Sequence, residues 1–245
     1  MLIRVEEMKN YILEAVDGEI GRCKDFLFDD EQWIVRYMVA DTGKWLPGRK
    51  VLISPGSLGT PRWSDGRLPV GATKEQIRNS PPLEIDKPVT QDYERRLYDY
   101  WTGPGIWGGY PMQPAPYAGV PRARGYYRTI NPEARGLESA KEVTGFTIEA
   151  SDGSIGHVED FVIDDEDWAI RYMIVDTRNW LPGRKVLVST QWLREVHWAD
   201  AKVSVDMTRE SIKGSPEYFP DKMNREYEMV LHRHYGFPPY WDAKQ

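Results

Sequence analysis

Residues 33–40, WIVRYMVA, are apolar on both faces of an extended strand apart from Arg36, and residues 168–175, WAIRYMIV, repeat the pattern around Arg171. Strand side chains alternate between faces, so an apolar run without alternation predicts a strand covered on both sides. Ahead of the first run, Cys23, Asp25 and Leu27 alternate with Lys24, Phe26 and Phe28, which predicts a second strand. The acidic stretches 29–32 (DDEQ) and 164–167 (DDED) separate the strands and predict hairpin loops. Asp17-Gly18 predicts a tight turn, because glycine accepts the positive φ that such turns need. Residues 50–54 read as a further strand and 62–70 as a second hairpin around Asp65-Gly66. Thr73 followed by Gln76 fits a capping box, and the helix it starts is short because Pro81-Pro82 follow. A longer helix is predicted over 92–101, with an echo over 225–235.

These elements occur twice. DTGKWLPGRKVLIS at 41–54 returns as DTRNWLPGRKVLVS at 176–189, a shift of 176 − 41 = 135 that holds without a gap from Asp17 to Pro81. The helical tails match at a shift of 134, with Tyr93-Glu94 and Leu97 against Tyr227-Glu228 and Leu231. The chain is one unit built twice. The predicted organisation is a first domain over 1–87, a helical tail and Pro/Gly/Tyr-rich linker over 88–135, a second domain over 136–222 and a C-terminal helical tail over 223–245. A domain of about 85 residues removes only about 60–65% of its unfolded surface from water, so each copy gains from packing against something else.

Ten Trp and fourteen Tyr among 245 residues point to a folded chain. The net charge of −6 disfavours nucleic acid as a partner. One local exception is PRARGYYR, where Arg122, Arg124 and Arg128 flank Tyr126 and Tyr127. Cys23 is the only cysteine, so no intrachain disulfide forms, and its counterpart Val158 marks it as a small core residue. No signal-peptide pattern opens the sequence and no apolar run is long enough for a transmembrane anchor, so a soluble cytoplasmic protein is expected.

The order of these features carries a resemblance. Gly-x-Ile-Gly entering a strand, an acidic hairpin turn, an apolar strand ending in Asp and a short loop into Lys-Val-Leu-(Ile/Val) together resemble the PRC-barrel domain. That domain forms the cytoplasmic part of the photosynthetic reaction-centre H subunit and the C-terminal domain of a bacterial ribosome-maturation factor. The likeness spans residues 8–81 and 143–216. It implies an all-β fold with minor α content, two tandem small β-barrels each followed by a short helical tail, used as scaffolds for protein contacts. The H subunit's membrane helix and the ribosome factor's extra N-terminal domain are not matched here.

Trp45, Leu46 and Arg49, with Trp180, Leu181 and Arg184, form the candidate interaction surface, since aromatic and Arg anchors dominate interface energies. The competing reading folds each Trp back over its own copy. Arg36 and Arg171 lie in apolar surroundings where an unpaired charge is costly, which predicts structural ion pairs with Asp41 and Asp176, or with Asp25 and its counterpart. The acidic turns lack the glycine and distant Glu of a calcium loop. His232 and His234 are two apart, point in different directions on a helix, and read as surface residues. No catalytic residue, cofactor site or metal site is predicted. The expected role is a non-enzymatic scaffold that binds another protein or itself. The alternatives are a small-molecule binder or cryptic enzyme using a cleft between the copies, and an RNA- or ribosome-assembly factor.

Overall fold

The strands of this computed structural model, which describes residues 1–43, 45–83, 89–102, 137–177 and 183–242, fall into two sheets. The first part of the chain supplies β1 (Leu2–Arg4), α1 (Val5–Met8), β2 (Ile12–Ala15), β3 (Gly18–Asp29), β4 (Ile34–Asp41), β5 (Lys50–Ile53), β6 (Arg67–Val70), α2 (Lys74–Asn79) and α3 (Gln91–Thr102). The second part supplies β7 (Glu138–Ser139), α4 (Ala140–Val143), β8 (Thr147–Ala150), β9 (Gly153–Asp164), β10 (Ile170–Asp176) and β11 (Lys185–Ser189). It continues with β12 (Leu193–His197), β13 (Lys202–Val205), α5 (Arg209–Gly214) and α6 (Arg225–Tyr235). The expected β-rich fold with short helices is what forms. The linker over 103–136, including Arg122, Arg124 and Arg128, lies outside the described residues, as do Trp180 and Leu181.

One sheet runs β5-β4-β3-β2-β6, antiparallel except for the parallel β2–β6 pair, and β7 joins it along β3. The other runs β11-β10-β9-β8-β13-β12, with β1 joining along β9. The twelve-residue strands β3 and β9 make this possible. Gly18–Arg22 of β3 pairs with β2, which leaves Leu27 and Phe28 free to take β7. In the same way β9 gives its first half to β8 and residues Val162, Ile163 and Asp164 to β1. Each short leading strand therefore sits in the sheet of the other repeat. The compact units follow this exchange: one comprises Met1–Arg4, Glu142–Asp164 and Ile170–Gln245, the other Val5–Lys141 and Asp165–Ala169.

The repeats differ at one strand. Arg194, Glu195 and Val196 let β12 pair with β13, whereas the matching Gly59, Thr60 and Pro61 leave only the isolated bridges Leu58–Val70 and Arg62–Arg67 beside β6. Proline has no N–H to give to a ladder, so the hairpin expected over 62–70 keeps a regular strand on one side only.

Local signals act as their chemistry predicts. Thr73 Oγ1 accepts from Gln76 N, and Gln76 Oε1 accepts from Thr73 N, so the capping box is complete. The turn aspartates do a second job: Asp17 Oδ1 accepts from Lys74 N at 2.7 Å and Asp152 Oδ1 from Arg209 N at 2.8 Å, holding the first turns of α2 and α5. Asp29 Oδ1 accepts from both Glu31 N and Gln32 N, which shapes the acidic turn.

The unalternating strand β4 is covered on its outer face by α3. Tyr93 and Leu97 pack with Leu27, Val39 and Leu52, flanked by Tyr37, Leu83 and Trp101. In the second unit Tyr172, Met173, Ile174 and Val175 of β10 are all buried.

Candidate functional site: the Tyr172, Glu228 and His232 network

The loop after β4 is closed from within. Thr42, 1% exposed, donates its hydroxyl toward Leu46 O and Arg49 O at 2.8 Å each. Trp45 is half-buried, with Lys74 Nζ 6.0 Å and the Arg78 guanidinium 5.7 Å from its ring centre. Arg49 donates to Ser80 O at the end of α2, and Arg184 donates to Ser215 O and, at 2.7 Å, to Lys213 O at the end of α5. A cation on those carbonyls complements the helix C-terminus. Both arginines thus tie the loop to the repeat's own helix.

The mid-strand arginines face a different carboxylate from the strand-end residues expected. Arg36 Nη1 lies 4.0 Å from Asp29, and Arg171 Nη2 lies 3.2 Å from Asp164, the same pair in each repeat. Asp41 Oδ1 accepts from Gly43 N, and Asp176 lies 3.9 Å from His157 Nε2. Ordered backbone at the start of the acidic turn puts Asp29 and Asp164 within reach.

A polar network unforeseen in the sequence lies in the unit of the second repeat. His232, expected at the surface, is 1% exposed, and Glu228 is 2% exposed. Both hang from the inner face of α6 beside Leu231, which is fully buried. Asn224 starts this helix by accepting from Tyr227 N, and Gly236, with φ 72°, ends it. Tyr172, on β10, presents its hydroxyl 2.9 Å from Glu228 Oε1 and 2.9 Å from His232 Nε2. Tyr240 donates to the same Glu228 oxygen at 3.0 Å, and Arg225 Nη1 lies 3.2 Å from Glu228 Oε2. His232 Nδ1 faces the carbonyl of Pro238 at 3.1 Å, so that nitrogen carries a hydrogen.

Aromatic rings surround these groups. Trp192 contacts His232, Tyr235 and Phe237, stacking on Phe237 at 5.4 Å. Arg171 lies 4.0 Å above Tyr240, and Arg225 lies 4.0 Å above Trp241. In this apolar setting burial pushes the Glu228 carboxyl up and the His232 imidazole down, each toward its neutral form. Burial, with Glu228 beside it, also pushes the Tyr172 phenol up.

The first repeat does not build this site. Tyr98 stands where the second has His232, and Ser57 where it has Trp192. Tyr98 is 50% exposed. Comparing the repeats for polar and aromatic residues present in one copy only marks His232 and Trp192, whereas Tyr172 and Glu228 have counterparts in Tyr37 and Glu94.

An open cleft of 640 Å³ lies in the first repeat along Glu14, Val16, Gly56, Leu58 and Pro69. Its one carboxylate, Glu14, is already engaged by Arg62 and Arg67. Among the described residues no group of three His, Cys, Asp or Glu side chains is arranged to hold a metal ion, and no helix is long and apolar enough to cross a membrane. No protein-family profile and no curated protein sequence matches the chain.

Proposed function

We propose that the chain is a non-enzymatic protein-interaction module acting in the cytoplasm, a duplicated PRC-type β-barrel whose second repeat carries the docking face on α6. The observation that supports this reading is a difference between the two tail helices. They agree in exposure at these matched positions, with Tyr93, Leu97, Tyr227 and Leu231 inward and the two residues after each Glu outward. In α3 those outward residues are Arg95 and Arg96, but in α6 they are Met229 and Val230, 44% and 48% exposed. The fold therefore has no need of apolar groups there. Phe237, 37% exposed, follows at the helix end and extends the apolar surface. Exposed apolar groups held on a fixed element are the usual mark of a protein contact.

The partner is another protein or a second copy of the chain. Crosslinked affinity capture from the native host, with light scattering for self-association, tests this against the double variant Met229→Arg/Val230→Arg. The arginines are those of the first repeat, so folding is preserved. The expected result is loss of the captured protein, or of self-association, with unchanged thermal unfolding. Equal capture by both proteins sinks the α6 face, and loss with Trp45→Ala instead moves the surface to the loop after β4.

A further inference from the structure

The hydrogen bonds around Tyr172 do not balance unless the network holds one extra proton. His232 Nδ1 must carry a hydrogen to meet the Pro238 carbonyl, which leaves Nε2 of a neutral ring as an acceptor. Tyr172 then faces two acceptors, Glu228 Oε1 and His232 Nε2, with a single hydrogen to give. The other neutral tautomer only moves the conflict, setting Nδ1 against a carbonyl oxygen. One added proton resolves it in either of two ways. A protonated Glu228 donates to the Tyr172 oxygen while Tyr172 donates to Nε2, or a protonated His232 donates to Tyr172 while Tyr172 donates to the carboxylate. Burying an unsatisfied polar group is costly, so the packed helix favours the state with the proton.

We propose that Glu228, Tyr172 and His232 share one proton and form a latch, so that α6 is held firmly only while that proton is bound. Resting on the reading of α6 as the docking face, this makes presentation of Met229 and Val230 responsive to pH. The charged and titratable groups facing the latch are Arg225 and Tyr235 on α6, Arg171 on β10, Asp164 on β9, and Tyr240 and Asp242 after the helix. Asp164 is itself paired with Arg171 and the Met1 amine. The burial-driven directions at Glu228 and His232 agree with a neutral network holding one proton.

The sign follows from counting protons. Unfolded, the pair holds two protons below about pH 4.3, one up to about pH 6.5 and none above. Folded, the network holds one until pH rises through the raised Glu228 value. Stability of the helix rises with pH where the unfolded state binds more protons and falls where it binds fewer. Seating is therefore strongest between those values, and the Glu228 contribution is lost as pH rises through its folded value. Where the unfolded pair has released both protons and the folded network still holds one, the fraction of loosened helix grows up to about tenfold per pH unit.

Amide hydrogen exchange of α6 in the full chain, corrected for intrinsic rates, tests this from pH 4 to pH 9. The key variant is Glu228→Gln, whose carboxamide donates to Tyr172 as the protonated acid does. Wild type is expected to lose protection on the alkaline side, with the variant staying flat. Equal alkaline loss in both, or no loss in wild type, overturns the latch. If the variant fails to fold, NMR titration of wild-type Glu228 and His232 decides. Coupled steps displaced from the two ordinary values support the latch, and independent titration at those values overturns it. Exchange reads the helix without a partner, so failure of capture by the α6 face is distinguishable from failure of the latch.

Discussion

Ala201 occupies, at φ 51°, the turn position that Gly66 occupies at φ 62° in the first repeat. The left-handed region costs an L-residue with a Cβ about 1–2 kcal/mol, and glycine nothing. Ala201→Gly is therefore expected to stabilise the protein, by about 1 kcal/mol after the added chain entropy of glycine. Gly66→Ala is expected to destabilise by a similar amount, since only the Tyr11 ring at 3.9 Å approaches the new methyl group. Urea unfolding of the two variants checks both signs.

Gly21 and Gly156 answer to a harsher constraint. Each has a positive φ, 135° and 145°, and a Cβ on either would collide with the backbone carbonyl of Asp41 or Asp176. Backbone on one side and backbone on the other leaves nothing flexible to yield. Alanine at either site is expected to cost more than about 3 kcal/mol, in the range reserved for severe lesions. Alanine at Gly183, with φ 79° and open space around it, should cost only the conformational penalty. The comparison, made by thermal unfolding, separates collision from φ.

What could be read from the chain was whatever local chemistry decides. The duplication, the unalternating strand around Arg36, the capping box at Thr73 and the turn at Asp17-Gly18 all act through neighbours close in sequence, and all appear as written. A leading strand of three residues, Leu2–Arg4, carries no record of which sheet it joins, because pairing partners for so short a run are chosen by tertiary packing. His232 escaped for a related reason. A histidine beside Arg233 and His234 on a polar-looking helix reads as solvated, and its buried partners Tyr172 and Trp192 lie sixty and forty residues away. Arg49, after β4, and Arg184, before β11, read as free to bind a partner because their acceptors, the carbonyls of Ser80 and Ser215, belong to backbone groups that no side-chain pattern reveals.

Cys23 is fully buried on β3, and burial pushes its thiol well above the ordinary range. The thiolate is the reactive form, so the native protein should resist iodoacetamide at pH 8 while the denatured chain reacts at once. Mass spectrometry of the labelled protein reads the difference. Rapid native labelling would mean that β3 opens locally. Cys23→Val, the residue of the second repeat at this position, is expected to change stability by less than about 1.5 kcal/mol.

The leading strands give the prediction that most directly tests the exchange. β1 pairs Leu2, Ile3 and Arg4 with Asp164, Ile163 and Val162 of β9, and Ile3 is only 2% exposed. Removing its side chain leaves a cavity in the sheet of the second repeat, although Ile3 precedes the first. Ile3→Ala is therefore expected to cost about 2–4 kcal/mol. The loss should show as faster amide exchange on β9 at Val162 and Ile163, while β3 keeps its protection through β7, at Leu27 and Phe28. Deleting residues 1–4 should do the same more strongly. If exchange instead accelerated on β3 and left β9 unchanged, β1 would belong with the first repeat's sheet and the reciprocal arrangement of leading strands would be wrong.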